Sequence, residues 1–317
     1  MAAYRRKKRT NKALAIIIIL IAVITAIFGA LYGANDTFRE FVDGLGIFST
    51  KAPSVPYIDP DGDEMAVHFI DVGQGDCTLF QTPKGSVLID CGEPEYGETI
   101  IEYLSAQGVE ELEYFIITHP DEDHMGSAAY VLENIRVKNF VMNGKEKSTV
   151  FFTKALDVVE RLKNEGRLNP IIAAPGDVFT VGALQMRILG PYRLDFSEAD
   201  SNNGSLIIHA TYGERAFLLT GDAEEEGEED LLYHHKNELE CDVFAAGHHG
   251  SKTSNSQELL EAAKPAYVVI SCGEGNSYGH PNQEALDVFA SVGATVYRTD
   301  KLGHIVFVTD GKELTKK

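Results

Sequence analysis

The chain has 317 residues, 44% of them hydrophobic and 24% charged, and its 48 acidic against 28 basic residues give a formal net charge of −20. Six of the bases, Arg5, Arg6, Lys7, Lys8, Arg9 and Lys12, precede Ala13 with no acid among them, so the remainder carries 22 bases against 48 acids, or −26. That balance excludes a generic polyanion-binding surface, because nonspecific affinity for nucleic acid rests on Lys and Arg neutralising phosphates.

Residues 13–34 carry no charge and are dominated by Ile, Leu, Ala and Val. As a helix they would reach roughly 33 Å, enough for a bilayer core, and the basic residues 1–12 before them predict a cytoplasmic tail with everything after the span outside. A cleaved signal peptide fits less well. The apolar run exceeds the usual ~7–15 residues, and Phe28 and Tyr32 stand where small residues are wanted. Residues 35–63 are interrupted by Gly44, Gly46, Pro53, Pro56 and Pro60 and read as a stalk.

Residues 64–317 suffice for one large α/β domain. Strand-like tracts fall at 66–72, 77–82, 86–90, 114–118, 139–142, 184–189, 205–211, 216–220, 242–246, 266–271, 294–297 and 304–308. Helical tracts fall at 97–107, 125–134, 151–165, 224–236, 256–263 and 282–291. Two strand-rich halves predict two sheets packed face to face with helices outside. The acidic run Glu224, Glu225, Glu226, Glu228, Glu229 and Asp230 opens a helix, where it suits the macrodipole, and reads as a solvated face. A hairpin centred on Lys84 would set Cys77 opposite Cys91. They read as small buried thiols, since cross-strand neighbours seldom meet disulfide geometry, and Cys241 and Cys272 show no framework spacing.

The stretch around which the domain is organised is Thr118-His119-Pro120-Asp121-Glu122-Asp123-His124-Met125-Gly126. An apolar tract, Tyr114 to Ile117, precedes it and a helical one follows, so four groups able to bind a cation occupy one strand-to-helix loop. The spacing favours two ions side by side, each completed from elsewhere, the arrangement that clamps attacking and leaving oxygens in hydrolysis. An acidic helix cap is the competing reading of this loop alone. Two further strands end in similar residues, Leu218-Leu219-Thr220-Gly221-Asp222 and Ala245-Ala246-Gly247-His248-His249-Gly250-Ser251. Strand C-termini are where α/β sheets place ligands.

His-Pro-Asp-x-Asp-His, then Thr-Gly-Asp, Gly-His-His-Gly-Ser and Tyr-Gly-His-Pro, in that order, resemble the metallo-β-lactamase fold in its ComEC-type competence-protein branch, here as a stand-alone, membrane-anchored relative. Val67 to Asp76 and Val87 to Gly92 resemble the family's opening strands, and the likeness runs from about Met65 to about Val308. It implies a four-layer αββα sandwich and two divalent ions, zinc or manganese. The implied first site is His119, Asp121 and a bridging Asp222; the second is Asp123, His124, His248 and the same Asp222. Asp90 is implied to orient a ligand or bound water, and Asp71, Gln74 and Asp76 lie on the opening turn, where a site-mouth role and a turn role stand equal. The wider fold has His where this chain has Asp121, and Asn203 stands where relatives bring another His, which admits manganese beside zinc.

A hairpin turning at Tyr212-Gly213-Glu214 places Asn203 and Ser205 at the metal end and His209 roughly 16 Å away along its strand, so His209 is not expected to be a ligand. Asp123 and His280 are the candidate catalytic residues, with His280 expected at the leaving group and a hydroxide between the ions expected as nucleophile. Ser251, Lys252, Thr253 and Ser254 form a polar loop able to hold an anion, and His249 reads as structural or as a near neighbour of the site. The leading functional reading is an extracytoplasmic phosphodiesterase or nuclease. A hydrolase of an ester, lactam or cell-envelope substrate is the alternative, and a non-catalytic metal-binding module the third. Long nucleic acid is disfavoured by the −26 charge, and no protein partner is inferred.

Overall fold

A computed structural model describes residues 62–194 and 201–317. The basic tail, the 13–34 span and nearly all of the 35–63 stalk lie outside the described residues. Among those described, no helix is long and apolar enough to cross a membrane.

The first strands are β1 (Met65–Phe69), β2 (Thr78–Thr82), β3 (Gly85–Ile89), β4 (Glu111–Ile116), β5 (Arg136–Met142) and β6 (Asn169–Ile172). Seven more follow, β7 (Val178–Val181), β8 (Leu184–Gly190), β9 (Ile207–Tyr212), β10 (Arg215–Leu219), β11 (Val243–Ala245), β12 (Tyr267–Ile270) and β13 (Thr295–Arg298). The chain then returns to the first sheet through β14 (Ile305–Thr309) and β15 (Leu314–Lys316). The sheets read β15-β14-β1-β2-β3-β4-β5-β6 and β13-β12-β11-β10-β9-β8-β7.

Side-chain alternation along β1 shows how the layers form. Met65, Val67 and Phe69 face the other sheet and share one core with Phe217, Leu219 and Ile208. His68, on the opposite face, meets the Tyr103 hydroxyl at 2.9 Å through Nδ1 and so abuts helix α1 (Gly97–Ala106). Ring pairs tie the sheets together: Phe80 to Phe217 with centroids 5.7 Å apart, Tyr114 to Phe179 at 5.1 Å and Tyr267 to Phe307 at 5.4 Å. Each buried ring removes about 150–250 Å² from water, so these pairs make up much of the inter-sheet cohesion.

After α2 (Glu122–Met125) and α3 (Ala128–Asn134), helix α4 (Val150–Asn164) buries Phe152, Ala155, Val159 and Leu162, one stripe of an amphipathic helix that packs on α3 and β6. Helices α5 (Glu225–His235), α6 (Gln257–Ala263) and α7 (Gln283–Ser291) bring Leu231, Leu259, Leu260 and Phe289 onto Leu218, Phe244 and Val268, the outer face of the second sheet. The expected two-sheet α/β sandwich with helices outside is the architecture observed.

Local expectations need correction at several places. Strands β6, β7 and β15 were absent from the sequence reading, and its 125–134 helix is divided by Gly126 and Ser127 into α2 and α3. Thr82 pairs with Gly85, so the β2–β3 turn holds only Pro83 and Lys84, and Thr78 faces Ile89. That register takes Cys77 out of opposition to Cys91; both thiols are free and buried. Finally, Glu228 of the acidic run is 1% exposed and accepts from the Asn255 and Ser256 backbone N–H groups, fixing the loop before α6 instead of facing solvent.

Candidate metal centre

Parallel pairing makes the site. Strands β3 to β6 run parallel to one another, as do β10 to β13, so the residues just past their C-terminal ends meet at one end of the sandwich. Asp90 follows β3, His119 to His124 follow β4, Asp222 follows β10, and His248 and His249 follow β11. Two glycines permit the close approach. At Gly221 (φ +52°) a Cβ would lie 2.9 Å from the Ser205 Cβ, and at Gly75 one would lie 2.5 Å from the Asp123 carbonyl oxygen.

Ligand-type atoms of Asp123, His124, Asp222 and His249 all lie within 4.8 Å of one another. Asp222 Oδ1 stands 3.0 Å from His124 Nε2, and Asp123 Oδ2 stands 3.1 Å from His249 Nε2. Asp222 Oδ2 is central to the remaining imidazoles, 3.9 Å from His119 Nε2, 3.7 Å from His248 Nε2 and 3.8 Å from His249 Nε2. His119 Nε2 is also 3.7 Å from Asp121 Oδ1.

The histidine pair departs from expectation. His249, read from the sequence as structural or as a near neighbour of the site, sits in the four-residue cluster, with Nδ1 directed to the Ser271 carbonyl at 3.0 Å and Asp76 Oδ1 at 3.6 Å. His248, named there as a ligand, borders Asp222 but turns Nδ1 to Glu224 Oε1 at 3.1 Å. Glu224 was not singled out as a site residue.

Supporting groups are accounted for individually. The Asp90 carboxylate accepts from the Thr118 backbone N–H and hydroxyl and meets His124 Nδ1 at 2.8 Å, which fixes the ring with Nε2 pointing inward. Ser205 Oγ accepts from Asp222 N at 3.1 Å and so holds the Asp222 loop. Asn203, expected at the metal end, braces a helix start instead. Its side-chain oxygen accepts from Glu224 N and Gly227 N at the start of α5. Asp71 accepts from Gly73 N and Gln74 from Gly273 N, so both brace turns at the rim. In the 251–254 loop, Ser251 and Thr253 hydroxyls bond each other and Thr253 donates to Glu224, while Lys252 lines a depression with Glu224, Glu225 and Glu226. Ser254 Oγ is buried without a hydrogen-bond partner. The Thr253 hydroxyl is thus engaged with a carboxylate and Ser254 is buried, contrary to an open anion cradle. His280 lies beside the centre, its ring 5.4 Å from that of His248, and burial together with His248 and His249 pulls it down to about 4.

A cation fits this set of donors. His119 Nε2 is buried with no hydrogen-bond partner, and His124 Nε2 and Asp222 Oδ1, 3.0 Å apart, are buried with no partner besides each other, an arrangement that costs stability unless something else satisfies these atoms. Burial alone would lower His124, but Asp222, Asp90 and Asp123 outweigh it and hold the imidazole well above its ordinary value. Burial likewise resists charge on Asp222, yet His124 and His249 keep its carboxyl well below the usual range. The carboxylates of the cluster thus favour positive charge on the groups that face them.

Residues 70–274 match the Metallo-beta-lactamase superfamily. The chain belongs to this superfamily. It is 35% identical over 262 residues to ComE operon protein 3 of Bacillus subtilis (strain 168), covering 77% of this chain and 33% of that protein. It is 28% identical over 263 residues to Competence protein ComA of Neisseria gonorrhoeae, covering 83% and 34%. The competence-type branch expected from the motifs is the one these relatives represent, and the chain spans about a third of their length. Among solved structures, the metallo-beta-lactamase fold protein YhfI from Bacillus subtilis matches with a TM-score of 0.54 at 14% identity, over 78% of this chain and 100% of that one. CmlA, a diiron beta-hydroxylase from Streptomyces venezuelae, matches with a TM-score of 0.52 at 13% identity, over 82% and 55%. At these identities the likeness speaks for the fold.

His209 offers a contrast with the superfamily histidines. It pairs with Leu218 within the sheet, its Nε2 meets the Glu240 carbonyl at 3.1 Å, and burial lowers its pKa. His209→Ala is therefore expected to leave metal content unchanged and to cost about 1 kcal/mol of stability, the usual worth of one such hydrogen bond. Elemental analysis and denaturant unfolding check it; loss of a metal equivalent would contradict the placement.

Proposed function

We propose that the chain is a metal-dependent hydrolase of phosphodiester-type bonds, displayed outside the cell on the 13–34 apolar segment. The observation that carries the chemistry is the convergence at the strand C-termini of buried, unpartnered His119 Nε2 with the His124 Nε2–Asp222 Oδ1 pair, and of Asp123 and His249 in the same cluster. Two cation positions follow from the donors: Asp123, His124, His249 and Asp222 would hold one ion, and His119, Asp121 and the same Asp222 would hold the other. Bound divalent ions supply Lewis acidity, lowering the pKa of water and stabilising charge on attacking and leaving oxygens. Manganese and zinc both suit a donor set of mixed oxygen and nitrogen.

The chain's own residues do the rest. Asp90 fixes the His124 ring, Ser205 fixes the Asp222 loop, and Asp123 lies within reach of a proton at the cluster's open side. His280, kept neutral by its pKa of about 4, presents a ring that accepts or donates one hydrogen bond at the leaving-group side without adding charge. The acidic depression around Lys252 disfavours long polyanions and favours a small phosphodiester or a strand end.

The test uses the full chain loaded with Mn²⁺ or Zn²⁺ against a nitrophenyl phosphodiester, a nitrophenyl ester, a β-lactam, and single- and double-stranded DNA, with Asp123→Asn as control. Turnover of the phosphodiester is expected, faster with Mn²⁺, abolished by chelation, and strongly salt-inhibited if DNA is cut. Turnover of ester or lactam with no phosphorus substrate would transfer the assignment to the other hydrolase class.

A further inference from the structure

Lys147 follows β5 in the loop beginning at Asn143, and was not among the residues the motifs point to. Its side chain is 15% exposed, and its Nζ lies 2.6 Å from Asp121 Oδ1 and 3.1 Å from Ser201 Oγ. Ser201 Oγ also donates to Asp121 Oδ1. That carboxylate oxygen is the one 3.7 Å from His119 Nε2, so the ammonium and any ion shared by His119, Asp121 and Asp222 draw on the same atom. In the other cluster the ion-pair partners of Asp123 and Asp222 are histidines, His124 and His249. An ammonium has three donors and no lone pair. It cannot ligate a metal, and it repels one held nearby.

We propose that Lys147 is a built-in monovalent occupant of the first cation position. The two positions therefore fill unequally: a divalent ion enters at Asp123, His124, Asp222 and His249, and a second enters at His119 and Asp121 only by displacing the Lys147 ammonium from Asp121. This stands on the donor geometry and is independent of which bond is cut.

Calorimetric titration of Mn²⁺ into the chelator-stripped full chain tests it. Two unequal equivalents are expected. Lys147→Met, which keeps an unbranched stem and removes the charge, should tighten the weaker equivalent about tenfold or more and leave the tighter one within about threefold, whereas Lys147→Arg should preserve the gap. Equal affinities in the native chain, or an unchanged weak equivalent in a Lys147→Met chain with native circular dichroism, would overturn the proposal. A second measurement needs no variant. Mass-spectrometric acetylation of the native chain should label Lys147 faster after Mn²⁺ saturation, with the exposed Lys84 as internal reference, and a labelling rate indifferent to Mn²⁺ would count equally against it.

Discussion

Asp222→Ala is expected to remove more than one equivalent of ion from the Mn²⁺-saturated chain and to lower turnover more than about 100-fold, because loss of a mere outer partner of a ligand already costs about 10–100-fold. The expectation comes from the two oxygens of one carboxylate. Oδ1 lies 3.0 Å from His124, and Oδ2 stands within 4 Å of His119, His248 and His249, so the group borders both proposed positions. Its removal also leaves His124 without the carboxylate that contributes most to its raised pKa. Asp222→Asn preserves the shape and serves as the folding control. Elemental analysis after gel filtration reads the result; loss of a single equivalent would show that Asp222 serves one ion and not two.

The second large effect separates two adjacent histidines. His249→Ala should abolish the tighter ion equivalent and turnover, since its Nε2 faces both Asp123 and Asp222. His248→Ala should retain that equivalent and lose activity less steeply, because His248 is tied to Glu224 at the rim. Parallel titration of both variants decides the matter. Retention of the tight equivalent in His249→Ala, with loss in His248→Ala, would restore the assignment made from the motifs.

The placement of these two histidines illustrates what the sequence could convey. His248 and His249 both adopt left-handed backbone, with φ of 49° and 54°, so the rule that neighbours along an extended chain face opposite ways does not apply to them. Nothing in Gly-His-His-Gly announces it. The metal-end loops after β4, β10 and β11 were legible because long apolar tracts end abruptly in His and Asp. Lys147 also follows the C-terminal end of a parallel strand, β5, and that position was the available signal for it. The three unrecognised strands share a cause: β6 and β15 are the two edges of the first sheet and β7 an edge of the second. Edge strands are short and tolerate Pro and charge, as Pro170 in β6 and Lys316 in β15 do, which dilutes the pattern that marks central strands. Two-residue turns at Pro83-Lys84 and Gly213-Glu214 likewise shift register by one from a turn centred on a residue.

The return of β14 to pair with β1 has a consequence for synthesis. Residues Met65 to Phe69 match Thr309 to Ile305, so an early strand, all five of whose residues are buried, waits for partners made some 240 positions later. On the ribosome, β2 can protect one side of it promptly. The other side presents unpaired amides and carbonyls until the last strands emerge, a long-range closure that slows folding and invites foreign strands meanwhile. A nascent chain arrested before Ile305 would thus carry an open apolar edge, and quality control has its clearest target there.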